Sequence, residues 1–312
     1  GGNERVRVAD TGAAWLAGES ALPALDFYGE DGVFGANLGR YVAACVLYES
    51  ITGFRVEGNS YHADLTETDV SVLQQIAGDV SGIVEREPVP DEPTPDNPGD
   101  GGTDDPNPEG DDPVVDPGEP LKILLLGSQQ LSLLENDLLG MLQADESIAP
   151  ELTTLFADDL RSLWESEAIT ATITAGDWDV VILQEDQRAP GLAYIYENHR
   201  SDFFDVGTPA YYSLASYNFN RAGKQLANFV LEQTSAKILL SASWALDDSS
   251  GPLTEFPPNN DSRGMQEYTN AAYADFVASL PFQHRSRVSV VGVGDAWLRS
   301  RAGAPTLDLY GD

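Results

Sequence analysis

One cysteine, Cys45, and three histidines, His62, His199 and His284, are all that 312 residues hold of those two residue types. A lone thiol excludes an internal disulfide and leaves the redox compartment open. The histidines are scattered, with no H-x-x-x-H spacing, so neither a metal site nor a cofactor is expected. Basic residues are scarce too: 17 Lys and Arg stand against 51 Asp and Glu, a net charge of −34. So acidic a surface repels phosphate backbones and anionic lipids, which argues against nucleic acid and membranes as partners. No apolar run approaches the ~18 residues a membrane-spanning helix needs, so no membrane insertion is expected. The charge fits a secreted or salt-adapted protein, and equally an ordinary well-solvated surface; a secreted or cell-surface location is the expectation.

What the chain does have is a repeat. RVRVADTGAAWLAGESALPALDFYGE (5–30) aligns without a gap on RVSVVGVGDAWLRSRAGAPTLDLYGD (287–312) at a constant offset of 282, with 12 of 26 pairs identical. Trp15/Trp297, Pro23/Pro305, Asp26/Asp308 and Tyr28/Tyr310 are among them. The sequence therefore reads as the back of one unit followed by the front of the next, within a longer tandem protein.

Residues 86–120 carry ten of the 19 prolines and almost no large apolar side chains. Such a stretch cannot bury enough surface to offset its ordering entropy, and its carboxylates repel one another. It reads as an acidic, disordered Pro/Asp/Gly-rich linker between 1–85 and 121–312, and no part of it matches a calcium-binding loop.

Beyond it, LKILLLG (121–127), DVVILQ (179–184), AKILLSA (236–242) and RVSVVGV (287–293) are short Val/Ile/Leu runs. Segments of 40–60 residues separate them, some with helical period, such as 263–280. Strands spaced in this way imply βαβ crossovers and a parallel sheet, hence a three-layer α/β/α fold. In the front segment, Asn37 is placed to cap a helix with Leu38, Tyr41, Val42, Cys45 and Val46 on its apolar face, ending at Gly53. A second helix opens at Thr66, with Asp69 as its capping-box partner.

Ligands of parallel sheets bind at the carboxyl ends of the strands. Three stretches fall there: Gly127-Ser128-Gln129-Gln130, Gln184-Glu185-Asp186-Gln187-Arg188, and Asp31-Gly32-Val33-Phe34-Gly35 before the Asn37 helix. Together with DWDVVILQE, MQEYTNAAY, VGDAW and GRYVAACVLYESITG, they resemble the SGNH (GDSL-like) hydrolases over nearly the whole chain outside the linker, in permuted order. The resemblance implies a flavodoxin-like α/β/α fold. It also implies that 1–85 is the C-terminal part of one SGNH-like unit and 121–312 the N-terminal and central part of the next. In that family the first block supplies a nucleophilic Ser, and the last supplies a His base with an Asp that orients it. Here Gln129 stands at the nucleophile position, with Ser128 one place early, and Phe34 stands at the base position, with Asp31 retained.

An amide is no nucleophile and a phenyl ring accepts no proton, whereas acyl transfer needs a hydroxyl activated by a base. The expectation is thus a catalytically degenerate domain serving in binding or as a repeat module. Gly127, Gln184, Glu185 and Arg188 would then line a polar cleft for a carbohydrate or small ester. The rival reading is an active esterase that uses Ser128 with a His from outside this fragment. A bland reading of Ser128 stays open as well, in which its hydroxyl satisfies backbone donors at a helix start. The long polar loop 246–262 is suited to rim the cleft.

Overall fold

The computed structural model describes residues 8–9, 37–81, 119–204, 207–242, 246, 251–258 and 260–291. Strands β1 (Val8–Ala9), β2 (Leu121–Gly127), β3 (Pro150–Phe156), β4 (Val180–Leu183), β5 (Lys237–Ser241) and β6 (Val288–Val291) form one sheet in the order β1-β6-β5-β4-β2-β3. Every pairing is parallel. Ile123, Leu124, Leu125 and Leu126 of β2 are wholly buried, as are Val181 and Ile182 of β4. Successive strand residues face opposite sides, so burial of both parities means that helices cover both faces.

One helical layer holds α1 (Asn37–Thr52), α2 (Glu67–Ser81) and α3 (Gln129–Ala144), with α1 packed against α2, α3, β1 and β6. Between β3 and β4 lie α4 (Leu160–Trp164) and α5 (Glu167–Ala175). After β4 come α6 (Ala189–Asn198), α7 (Arg200–Phe203), α8 (Ala210–Ser216), a π-helical segment (Tyr217–Gly223) and α9 (Lys224–Gln233). A 3₁₀ turn (Gly251–Glu255) and α10 (Ser262–Ser279) lead to β6 through a second 3₁₀ turn (Phe282–Arg287). The fold is the expected three-layer α/β domain. Counting β2 as first strand, β3-β2-β4-β5-β6 is the flavodoxin-like 2-1-3-4-5 order.

The cap expected at Thr66 is present: Asp69 N–H donates to Thr66 Oγ1 at 3.2 Å, and Thr66 Oγ1 donates to Asp69 Oδ2 at 2.6 Å. Helix α1 stops at Thr52 because Gly53 takes φ +72°, a left-handed conformation that glycine adopts without a Cβ clash, and returns its N–H to Glu49 O at 2.9 Å. The one-faced burial expected for α1 is too narrow. Every residue from Tyr41 to Glu49 is buried, because α2, α3 and the sheet enclose the helix from several sides. Each large apolar side chain so buried contributes about 1.5–3 kcal/mol relative to exposure.

Polar contacts fasten the front segment to α3. Tyr48 OH donates to Asp145 Oδ2 at 2.6 Å, Tyr61 OH to Asp137 Oδ1 at 2.9 Å, and Asn59 Nδ2 to Met141 O at 2.9 Å. Gln74 braces the same segment from within, donating to Tyr41 OH at 2.9 Å and to Asn59 O at 2.8 Å. The two copies of the repeat meet at the sheet edge. Val8 is in register with Val290 and Ala9 with Val291, so each repeat residue pairs with its own counterpart 282 positions on.

Loop 246–262 is less polar inside than its composition suggests. Leu246, Leu253 and Phe256 are buried with Leu192, Ile195, Tyr212 and Met265 in a second, smaller apolar cluster beside α6.

Candidate functional site

The chain leaves β2 toward β3 on one side and crosses back to β4 on the other, so a crevice opens between the loops that leave the adjacent carboxyl ends of β2 and β4 in opposite directions. A cavity of about 630 Å³ lies there. The start of α3 supplies Ser128, Gln129, Gln130 and Ser132; the end of β3 supplies Phe156, Ala157 and Asp158. Asp186, Gln187 and Arg188 follow β4, and Leu246 closes one side.

Gly127 permits this convergence. A β-carbon there would meet Leu131 Cδ2 at 2.9 Å and Gln184 Cβ at 3.0 Å, so the two strand ends approach closely only without a side chain. Ser128 follows in extended geometry (φ −80°, ψ 177°) as the N-cap of α3, yet its hydroxyl makes no capping bond. It donates instead to Gln184 Oε1 at 3.4 Å, near the limit of a hydrogen bond. The helix-start reading of Ser128 is therefore replaced: β4 ends close enough for Gln184 to take the hydroxyl. Ser128 is 6 % exposed, whereas Gln129 is exposed on the cavity lining.

Gln184 and Glu185 are buried behind the cavity and do not line it. Glu185 ties β4 to the start of α4: Asp186 N–H donates to its Oε1 at 2.8 Å and Leu160 N–H to its Oε2 at 3.3 Å. Burial pushes its carboxyl up to about 8, with Asp159 and Asp186 adding to the rise and the two N–H donors opposing it. Arg188 does line the cavity, held by Nη1 on Glu255 Oε2 at 3.0 Å. Asp31 and Phe34 lie outside the described residues.

The sequence reading missed an amide pair, Gln130 Nε2 donating to Gln187 Oε1 at 2.8 Å across the two loops. Among the described residues Gln130 Oε1 has no hydrogen-bond partner. It also missed Phe156 and Asp158, because PELTTLF was not recognised as a strand; its Thr-Thr-Leu-Phe run was the available signal.

All three histidines are placed, and none lines the cavity. His284 precedes β6, at the amino edge of the sheet. His199 caps the far end of α6, about 15 Å along a ten-residue helix from Arg188, paired with Asp202 at 3.2 Å and ringed by Tyr194, Phe203 and Tyr268. His62 adjoins Tyr61, whose contact on α3 is Asp137, about 12 Å down that helix from Gln129. Among the described residues no group of three or more His, Cys, Asp or Glu could hold a metal ion. Nor is any helix among them long and apolar enough to cross a membrane.

No family model and no curated protein matches the chain. Among solved structures, the chain is similar to "a putative SGNH hydrolase" from Slackia heliotrinireducens at 16 % identity and a TM-score of 0.36, covering 58 % of this chain and 83 % of that one. A likeness of that size is one of outline, and the functional reading rests on the site itself.

Proposed function

We propose that this chain is a catalytically degenerate SGNH-like domain whose carboxyl-edge cavity is retained for binding, as a repeat module of a secreted or cell-surface protein. The observation that carries the reading is the environment of Ser128. Its hydroxyl meets the Gln184 amide, and every imidazole in the chain lies elsewhere. An amide oxygen accepts a hydrogen bond but does not remove a proton at neutral pH, so Ser128 is not activated as a nucleophile.

The ligand class follows from the lining. Amide and hydroxyl groups from Gln129, Gln130, Gln187, Ser128 and Ser132 surround an exposed Phe156, with Asp158 and Asp186 on the rim. Amides pair with hydroxyls in both directions, and a phenyl face packs on the C–H face of a sugar ring. Carboxylates on the rim disfavour anions. A neutral carbohydrate or a small ester suits these groups best.

Titration of neutral oligosaccharides, followed by amide chemical shifts, tests binding. Shifts confined to the start of α3 and the loop after β4, and weakened by Phe156→Ala, are expected; no shifts there with any neutral glycan would remove the binding reading. The position of Ser128 at the helix start on the carboxyl edge favours a second reading, an esterase on carbohydrate or lipid esters completed by a His from outside this fragment. Covalent labelling of Ser128 by a fluorophosphonate, lost in Ser128→Ala, would promote it.

A further inference from the structure

Several side-chain donors on the cavity lining are already engaged within the chain. Ser128 gives its one hydroxyl proton to Gln184 Oε1 at 3.4 Å, and Ser132 gives its own to Gln129 O at 2.5 Å. Gln130 Nε2 is held on Gln187 Oε1 at 2.8 Å, and Arg188 Nη1 on Glu255 Oε2 at 3.0 Å. The acceptors are left over. Gln130 Oε1 has no hydrogen-bond partner among the described residues, on a residue that is 6 % exposed. Asp158 and Asp186 add carboxylates to the lining, which accept several donors at once and give none.

We infer that the cavity selects its ligand by hydroxyl protons: it takes a sugar whose hydroxyl groups are free rather than esterified, and Gln130 Oε1 is the specificity-determining acceptor. The inference rests on the binding function proposed for the cavity and narrows its ligand class. A buried carbonyl oxygen without a donor is unfavourable, and a ligand proton removes that penalty. Gln130 Oε1 lies just beneath the lining. The terminal torsion of a glutamine is broad, so a small turn of the amide brings the oxygen to a ligand group. The opening turn of α3 asks for the opposite partner. Its first N–H groups have no intrahelical acceptor, and Ser128 supplies no side-chain cap. A hydroxyl answers both needs, donating to Gln130 and accepting from the helix start. A small ester answers only the second, because it carries no donor.

The test follows the side-chain amide signals of Gln130 and Gln187 in the ¹⁵N-labelled full chain by NMR. The probes are the methyl glycosides of glucose, galactose and mannose, the deoxyfluoro analogues of each, and triacetin. Fluorine keeps about the size of a hydroxyl and removes its proton, and triacetin carries ester acceptors alone. At least one methyl glycoside is expected to shift the Gln130 amide. Its affinity should fall by about tenfold or more when the hydroxyl that meets Gln130 is replaced by fluorine. Triacetin is expected to leave both signals unmoved. Gln130→Met, which keeps the length and loses the acceptor, should weaken the glycoside and narrow its advantage over that fluorinated analogue, which a loss of packing alone would not do. Deoxyfluoro analogues or triacetin binding as tightly as the glycosides would overturn the selection by protons and leave the cavity as a binding site. No shift with any probe would overturn the binding function and this inference with it.

Discussion

The ring of Tyr61 lies against Gly140 of α3 so closely that a β-carbon on Gly140 would meet Tyr61 Cε2 at 2.2 Å. The same side chain donates its hydroxyl to Asp137, one turn earlier on α3, at 2.9 Å. Glycine here makes room for a neighbour's ring, and that ring positions the hydroxyl bond. Gly140→Ala is therefore expected to displace Tyr61 and to destabilise the chain by about 1–3 kcal/mol, the usual cost of overpacking. Chemical denaturation checks this, with Tyr61→Ala restoring part of the loss in the double variant.

Glu185 makes stability depend on pH. Its folded-state value, about 8, lies above its ordinary 4.5, so the neutral carboxyl is the form the fold favours. The associated penalty is absent below pH 4.5, grows as pH rises between 4.5 and 8, and is complete above 8. The melting temperature should accordingly fall from pH 5 to pH 9 by an amount that Glu185→Gln reduces. The variant will be less stable at pH 5, since glutamine keeps one accepting oxygen and its NH2 group cannot accept from the second of the Asp186 and Leu160 N–H donors.

Ester hydrolysis should require two changes at once. Gln129→Ser adds a hydroxyl without a base, and Phe34→His adds a base with nothing to activate. Each single variant is expected to remain at background towards p-nitrophenyl acetate, because such groups act as a unit. The double variant is expected to exceed either single one, by up to the 10²–10⁴-fold typical of general-base assistance. Equal rates for the double variant and its parents would argue against the assignment of these two positions.

Arg188 separates binding from stability. Its ion pair with Glu255 is partly solvated, with side-chain exposures of 39 % and 22 %, and such pairs contribute at most about 1 kcal/mol. Arg188→Ala should leave the denaturation midpoint nearly unchanged. If the residue touches ligand, the same variant lowers oligosaccharide affinity, measured by the same amide shifts.

The central strands were legible because they are buried on both faces, which leaves unbroken runs such as Ile123–Leu126 and Val180–Leu183. Edge strand β3 was not: only part of it is covered, and PELTTLF shows neither an apolar run nor a clean alternation. The extent of burial around α1 was hidden for a related reason. Ala43 and Ala44 carry little periodic signal, and only the neighbouring helices and sheet reveal that they are enclosed. At the site, the two loops after β2 and β4 were located by the rule for parallel sheets. The directions taken by their side chains were not. In the run Gln184-Glu185-Asp186-Gln187-Arg188, the first two are buried behind the cavity and the last three line it, and composition alone gives no means of telling Glu185 from Asp186.

The pairing of β1 with β6 has a consequence for how the edge of the sheet is specified. Strand register is ordinarily fixed by which side chains must face the core, and a misplaced strand is rejected because its residues do not fit. Val8 and Val290 are the same residue type at the same repeat position, and exchanging the two strands would leave the residue type at that register position unchanged. Residue identity at this pair is thus no label for either slot. What tells the slots apart is what each strand is attached to: β5, α10 and the 3₁₀ turn place β6, while α1 and its buried face place β1. The strands carry the glue, and the helices carry the address.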